Sequence, residues 1–401
     1  METKIITTEI DEAADIIRAG GLVAVPTETV YGLAGNGLDE AAVEKIYEVK
    51  GRPAVKPLSL MVADESAFAK YGRDVPRSAY TLAAAFWPGP LTIVVKAADC
   101  VPAIVLAGGS TVGLRCPEQA QTQELLRRCG LPLAAPSANP SGAESPKTAA
   151  KVAEYFDGKI DAIIDGGPCG IGTESTIIDL TQRPYKILRQ GALPEKDIRE
   201  ALMRSLKIVG VTGGSGTGKT TALRVLEDHG ALVIDADALY HELCASCKPM
   251  LDEIEARFSG VVENGVLQRK KLGAIVFADK AALDALQEIT DCYVDDAIDR
   301  RLAEHAAAGG RYAAVDAIDL IGTPLQDYFC ATVGILAKPE IRCERIMARE
   351  GISREYAMLR IDAQPTDEFF EKGCTVCIRN DGTREEYRRQ CETIFKDILE
   401  D

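Results

Sequence analysis

No histidine occurs before residue 229; the three in the chain are His229, His241 and His305. A Ser–His–Asp set is therefore excluded from the first two hundred residues. No cysteine there stands in a nucleophile's setting, so covalent catalysis is not expected in that half. Aromatic residues make up 5% of the chain, with one tryptophan, and the net charge is −15. An acidic chain without a dense basic and aromatic stripe should not coat nucleic acid or anionic membrane non-specifically. No apolar run reaches the length of a transmembrane helix. The opening "METKIITTEIDEAADIIRAGG" lacks the basic-then-apolar order of a signal peptide, and a cytoplasmic protein is expected.

Cysteine is not scarce: there are twelve. In a reducing compartment they remain thiols unless they bind metal or do chemistry. Cys244-x-x-Cys247 and Cys374-x-x-Cys377 are too far apart for a zinc ribbon. A strand through 374–377 would point its two cysteines to opposite faces, so incidental thiols are expected.

The 401 residues suffice for two domains, and the pattern restarts near residues 202–206. Residues up to 205 carry 22 basic and 26 acidic side chains; the rest carry 24 and 35. Both halves read as α/β. In the first, helices are expected in "DEAADIIRAGG", "EAAVEKIYEVKG" and "SPKTAAKVAEYF", the last with Ser145 as N-cap and Pro146 as its first residue. Strands are expected at "LVAVPT", "LTIVVKA", and in a pair "STIIDL" and "YKILRQ". The second half alternates strands ("LKIVGVT", "ALVIDAD", "YAAVDAIDLI", "TVGILA", "CTVCIR") with helical stretches over 267–308 and 339–362. That order predicts a parallel sheet flanked by helices.

"GGSGTGKTT" in the second half fits G-x-x-x-x-G-K-[ST]. Gly213, Gly214, Gly216 and Gly218 let the backbone curl so that its N–H groups face a phosphate. The helix that follows adds its positive end. Lys219 reaches the β- and γ-phosphates of ATP. Thr220 ligates Mg²⁺, and Thr221 follows in the helix. In "VIDAD", Asp235 and Asp237 alternate about Ala236 and are expected on one side of a strand's carboxyl end. Asp235 there orients the metal and Asp237 accepts a proton.

With "VIDADAL", "GVLQRKKLGAIVFADKAALDALQEIT", "REGISREYAMLRIDAQ" and "CIRNDG", residues 206–401 resemble the dephospho-CoA kinases, a P-loop NTPase fold of kinase type. The resemblance implies transfer of the γ-phosphate of ATP to the ribose 3′-hydroxyl of dephospho-CoA. It implies Asp237 as base, Arg269 beside the acceptor, Arg345 or Arg349 in a lid over the phosphates, and Asn380 and Gly382 at the adenine. Asp291 and Cys292 stand where the family has a histidine pair or His-Pro. Gly322 replaces an acidic residue, and Asp319 adds a carboxylate. The alternative for this half is a catalytically weak, regulatory ATP-binding domain.

The first half holds "PTETVYGL", "KGRPAVKPL", "WPGPLT", "TVGLR", "PSANPSG", "ESTIID" and "RQG": basic and hydroxyl residues at strand ends and loops, suited to orienting a nucleotide and a small anion. Lys50 and Arg52, taken alone, would cap the carbonyls of a helix ending at Gly51, and "PSAN" would be an ordinary Asn turn. In this order the blocks resemble the YrdC-type threonylcarbamoyl-AMP synthases over about 1–200, a twisted mixed α/β domain. The resemblance implies formation of threonylcarbamoyl-adenylate from L-threonine, bicarbonate and ATP, for enzymes that modify an adenosine beside the tRNA anticodon. It implies Thr27, Tyr31, Arg115 and Ser175 at threonine, and Arg52, Lys56, Thr111, Ser137, Ser145 and Arg189 at ATP. Lys50 and Asn139 complete the rim, and Lys50 and Arg52 stabilise charge. Met61 stands where some members have histidine. The alternative here is an RNA-binding module, which salt-dependent tRNA binding would reveal. A carbamoyltransferase of the hydrogenase-maturation type would need acylphosphatase and zinc-finger parts.

Overall fold

Apolar strands and amphipathic helices alternate along the chain, and in the computed structural model the described residues assemble two large sheets and a small two-stranded one. Residues 2–400 except 319 are described; Asp319, expected inside a strand, lies outside the described residues. The chain divides into two units, Met1–Leu202 with Ala307–Gly309, and Met203–Ala306 with Gly310–Asp401. Among the described residues no helix is long and apolar enough to cross a membrane.

In the first unit eleven strands among the described residues form one mixed sheet. Helix Ile10–Arg18 buries Ile10, Ala13, Ala14 and Ile17, the i, i+3, i+4, i+7 stripe of an amphipathic helix. That stripe packs with Leu125, Leu126 and Cys129 of helix Ala120–Cys129 against strand Val23–Val25. Strand Leu91–Ala97 is central to the site. It pairs parallel with Thr176–Asp179 and antiparallel with Thr111–Arg115. Lys186–Arg189 lies antiparallel beyond Thr176–Asp179, with Ile177 opposite Arg189. These pairings bring Ser175, Arg189 and Arg115 to neighbouring strand ends. Helix Glu40–Lys50 is closed by Gly51 at φ 59°, a left-handed position that favours glycine. One helix start differs from expectation. The helix containing "AAKVAEYF" begins at Ala149 and is capped by Thr148, whose Oγ1 accepts the Lys151 N–H. Ser145 is three residues upstream and free for another partner.

The second unit has a five-stranded parallel sheet, ordered 232–235, 312–316, 207–212, 329–336, 376–379. Its core joins Val209, Val211, Val333 and Ile335 of the sheet to Leu226 of helix Lys219–Asp228 and Phe395 of helix Arg384–Glu400. The strand in "YAAVDAIDLI" ends at Asp316. The expected long helices are each interrupted, giving Arg269–Val276 and Lys280–Ala307, then Pro339–Glu350 and Arg354–Asp362. Gly351 at φ 69° ends the third of these. The glycine loop thus follows the central strand at the sheet's carboxyl edge, where open α/β sheets bind ligands.

Candidate active sites

In the first unit the chain turns sharply after strand Val23–Val25. Thr27 Oγ1 donates to the Val30 carbonyl (2.6 Å) and accepts the N–H groups of Thr29 (3.2 Å) and Val30 (3.1 Å). This turn carries Glu28 and Thr29 to Arg115 at the end of its strand. Arg115 Nη2 donates to Glu28 Oε1 at 2.6 Å and to Thr29 Oγ1 at 2.8 Å. The Arg115 and Glu28 side chains are 9% and 10% exposed. A pair buried this deeply fixes geometry more than it adds net stability.

Arg189 holds the neighbouring strand end. Its Nε donates to the Ser175 carbonyl (3.0 Å) and its Nη2 to Ser175 Oγ (3.1 Å), while Ser175 Oγ lies 2.8 Å from Thr92 Oγ1. Arg52, just beyond Gly51, donates to the Pro57 carbonyl at 3.1 Å. The three arginines line one cavity with Tyr31, Met61, Ser137 and Glu174. Burial lowers the pKa of Arg189; Glu174 opposes this, while Arg115 and Arg52 add to it. Arg189 therefore senses the charges of both other arginines. The space that these residues line, open solvent included, is about 650 Å³. Clustered guanidinium forks suit carboxylate and phosphate oxygens.

Beneath this cavity Lys50 is 3% exposed. Its ammonium donates to the carbonyls of Ser137 and Asn139. Lys50 thus anchors the "PSANPSG" loop from below; it caps no carbonyl of its own helix and does not form the rim. Asn139 is buried too, its Nδ2 donating to Pro140 and Ala143 carbonyls. Burial, with the Arg52 charge in support, pushes Lys50 down from 10.5 to about 8. An unfolded lysine still holds its proton between those values while the folded one has lost it. Stability should therefore rise with pH across this window, the cost of the buried charge being fully present below pH 8. In Lys50→Met this contribution disappears. Urea unfolding near pH 7.5 and near pH 9.5 should show a wild-type gain exceeding the variant's by about 2 kcal/mol.

In the second unit Gly218, at φ 105°, begins the helix at Lys219. A β-carbon there would stand 2.2 Å from Asn380 Nδ2. Asn380 Nδ2 donates to the Thr217 carbonyl (2.8 Å), and its Oδ1 accepts from Arg345 Nη2 (3.2 Å). Arg345 Nη1 also reaches the Gly216 carbonyl at 3.3 Å. Lys219 Nζ is 3.0 Å from Asp316 Oδ1, with both side chains largely buried. Burial raises the Asp316 pKa; Lys219 opposes the rise, and Asp235 and Asp237 add to it. Lys219, Thr220, Asp237, Asp316, Arg345 and Arg349 line a second cavity with the glycine loop.

Two families match this chain. The Sua5/YciO/YrdC family, described as telomere recombination, matches residues 15–191. The family described as dephospho-CoA kinase matches residues 207–386. A threonylcarbamoyl-AMP synthase of Pyrococcus abyssi is 48% identical over 190 residues, covering 47% of this chain and 56% of that protein. The chain thus spans little more than half of that relative's length. A threonylcarbamoyl-AMP synthase of Pseudomonas savastanoi is 34% identical over 43% of this chain and 92% of its own length. A dephospho-CoA kinase of Geobacter sulfurreducens is 37% identical over 47% of this chain and 98% of its own length. The chain belongs to both families.

Within the synthase-family half, Tyr31, Arg52, Arg115, Ser137 and Arg189 share the cavity. The Thr27 hydroxyl is used up in its turn, and Lys56 is exposed outside the lining. Thr111 opens the strand that Arg115 closes, about 13 Å away at strand rise. Ser145 donates to Glu174 Oε1 at 2.7 Å. Glu28, Thr29, Thr92 and Glu174 are not singled out by the sequence, although all four stand inside the quoted blocks.

Within the kinase-family half, Asp235 ends its strand and accepts the Ala238 N–H as N-cap (2.9 Å), so Asp237 falls in the first helical turn. The expected strand alternation is therefore wrong; a strand-to-helix junction recruits the aspartate as cap. Asp237 still lines the cavity. Arg269 starts its helix exposed, outside that lining, within reach of Tyr240 and Cys244 electrostatically. Asn380 grips the back of the loop instead of facing the cavity. Asp316 was missed: it is one carboxylate in an apolar strand, and its tie to Lys219 spans 97 residues. Cys374 precedes its strand at a bend, and both Cys374 and Cys377 sulfurs lie over Gly334; they do not face opposite sides. Among the described residues no group of three or more His, Cys, Asp or Glu side chains is arranged to hold a metal. Thr220, Asp235 and Asp237 are hard oxygen donors, which fits Mg²⁺, an ion usually held by one or two carboxylates plus substrate phosphates.

Proposed function

We propose that residues 1–205 form a threonylcarbamoyl-AMP synthase and residues 206–401 a dephospho-CoA kinase, in one cytoplasmic chain. The observation that supports the first is the convergence of Arg52, Arg115 and Arg189 on one cavity in a chain of net charge −15. Threonine's amine attacks CO₂ and releases its proton to water, or attacks bicarbonate with loss of a water molecule, to give a carbamate. A carbamate oxygen then attacks the α-phosphate of ATP, and the bond to pyrophosphate breaks. Arg115, held by Glu28 and Thr29, is placed to orient a carboxylate. Arg52 and Arg189 are placed to offset charge growing on phosphate oxygens. The adenylate would pass to enzymes that modify tRNA.

Support for the kinase is the meeting of Lys219, Asp237 and Asp316 around the glycine loop. Lys219 exchanges Asp316 for phosphate oxygens, Arg345 and Arg349 cover them, and Asp237 accepts the proton of the 3′-hydroxyl as it attacks the γ-phosphate. Mg²⁺ held by Thr220 with Asp235 would neutralise phosphate charge. Incubating the full chain with ATP, Mg²⁺ and dephospho-CoA should yield CoA by mass, with loss of about 10²-fold or more in Asp237→Asn. ATP binding without CoA would leave this half as a regulatory nucleotide-binding domain. In parallel, pyrophosphate release should require both threonine and bicarbonate.

A further inference from the structure

Every polar atom of Ser215, in the glycine loop, is bound by a side chain from beyond residue 340. Its N–H donates to Gln364 Oε1 at 2.9 Å, its hydroxyl accepts from Gln364 Nε2 at 2.9 Å, and its carbonyl accepts from Arg342 Nε at 3.0 Å. Arg342 Nη2 closes the set by donating to Gln364 Oε1 at 2.6 Å. Arg342 is 5% exposed. It makes no ion pair among those seen for the described residues, and burial lowers its pKa, with Asp367 opposing. A buried guanidinium without a carboxylate is costly, so its hydrogen bonds must be well formed for it to persist. The loop also admits it sterically. A β-carbon at Gly214 would lie 2.2 Å from Arg342 Nη2, and one at Gly216 would lie 2.8 Å from the Arg342 carbonyl.

Arg342 sits in helix Pro339–Glu350, and Gln364 directly follows helix Arg354–Asp362. The two helices share a small core of Cys343, Ile346, Ala357 and Ile361. The same hairpin bears Arg345 and Arg349, which line the phosphate cavity. One rigid hairpin therefore both presents cations to the phosphates and sets the backbone that cradles them.

We propose that Arg342 and Gln364 are positioning residues that lock the glycine loop at Ser215 in its phosphate-accepting shape, so that phosphate affinity depends on docking of the 339–364 hairpin. This rests on the reading of the glycine loop as an ATP site, not on the identity of the acceptor. Freeing Ser215 lets its N–H and carbonyl reorient, and a loop whose N–H groups no longer converge gives up its preorganised anion site.

The test is calorimetric titration with ATP and, separately, with adenosine, alongside thermal melting, in a full chain whose first-unit ATP site is disabled by Arg52→Ala and Arg189→Ala. Gln364→Ala should weaken ATP binding by about tenfold or more and leave adenosine binding within about twofold. Arg342→Met should act alike, and the double variant should be no worse than about the poorer single one, because the two residues serve one serine. Gln364→Glu, which keeps the acceptor for the Ser215 N–H and for Arg342, should recover part of the loss. Equal losses for ATP and adenosine, or a lower melting temperature with unchanged ATP affinity, would show a merely structural role and overturn the proposal. A wild-type chain that does not bind ATP would overturn it together with the nucleotide reading. A chain that binds ATP and makes no CoA would overturn only the acceptor reading, and the titrations decide the positioning role regardless.

Discussion

In Lys219→Met, CoA formation should fall by about 10³-fold, while KM for dephospho-CoA stays near its wild-type value. The lysine is the one cationic side chain that the loop's own helix aims into the cavity, and in the proposed reaction it serves the phosphates rather than the acceptor. Its removal also strands Asp316, 3.0 Å away and largely buried. Without Lys219, the remaining influences on that carboxyl are burial and the charges of Asp235 and Asp237, which all raise its pKa. The folded chain would then hold a proton that the unfolded chain releases above the ordinary carboxyl pKa of 3.8. Stability is lost as pH rises through such a window and stays low above it. The variant's melting temperature should therefore drop more near pH 8 than near pH 5. Adding Asp316→Asn should restore much of the melting temperature without restoring CoA formation. That separation of stability from rate is the decisive readout. A double variant that regained activity would remove Lys219 from the phosphate site.

The second large effect is expected at Arg115. Arg115→Ala removes a guanidinium from the first unit's cavity and leaves Glu28 buried without its partner. Breaking such a pair from one side costs about 3–5 kcal/mol, far more than the intact pair contributes. Threonine-dependent pyrophosphate release should fall by about 10²–10³-fold, as when a preorganised charge is deleted. Arg115→Lys separates the two effects. An ammonium keeps the charge beside Glu28, but it lacks the fork that reaches Glu28 and Thr29 with fixed geometry. Its melting temperature should lie close to wild type, whereas its KM for threonine should rise at least about tenfold. An unchanged KM in the lysine variant would mean that Arg115 supports the turn at 27–31 and does not bind substrate.

Much of this architecture was readable from local pattern. Helix Ile10–Arg18, the helix closed by Gly51, strand Leu91–Ala97 and the five parallel strands of the second half follow from apolar spacing and from glycine or proline punctuation. The phosphate loop is legible for the same reason. Its shape depends on where φ can be positive, and glycine marks those places in the sequence, as at Gly213, Gly216 and Gly218. Errors arose where one residue had two local options. Ser145 and Thr148 both suit an N-cap, and the helix took Thr148, leaving Ser145 to Glu174. Asp235 could continue a strand or cap a helix, and it caps.

Residue types and their order were thus enough to establish two α/β halves, a phosphate loop and two sets of polar motif blocks, because backbone shape and motif chemistry are short-range properties. Facing, burial and pairing were not legible. Lys50 looks like a surface cap until the loop at 137–139 closes over it, Asp316 looks like one strand residue among several, and nothing near Ser215 announces Gln364, 149 residues away. Those roles depend on which distant groups the folded chain brings within hydrogen-bonding range and shields from water, where an unpaired charge or N–H becomes costly enough to select its partner.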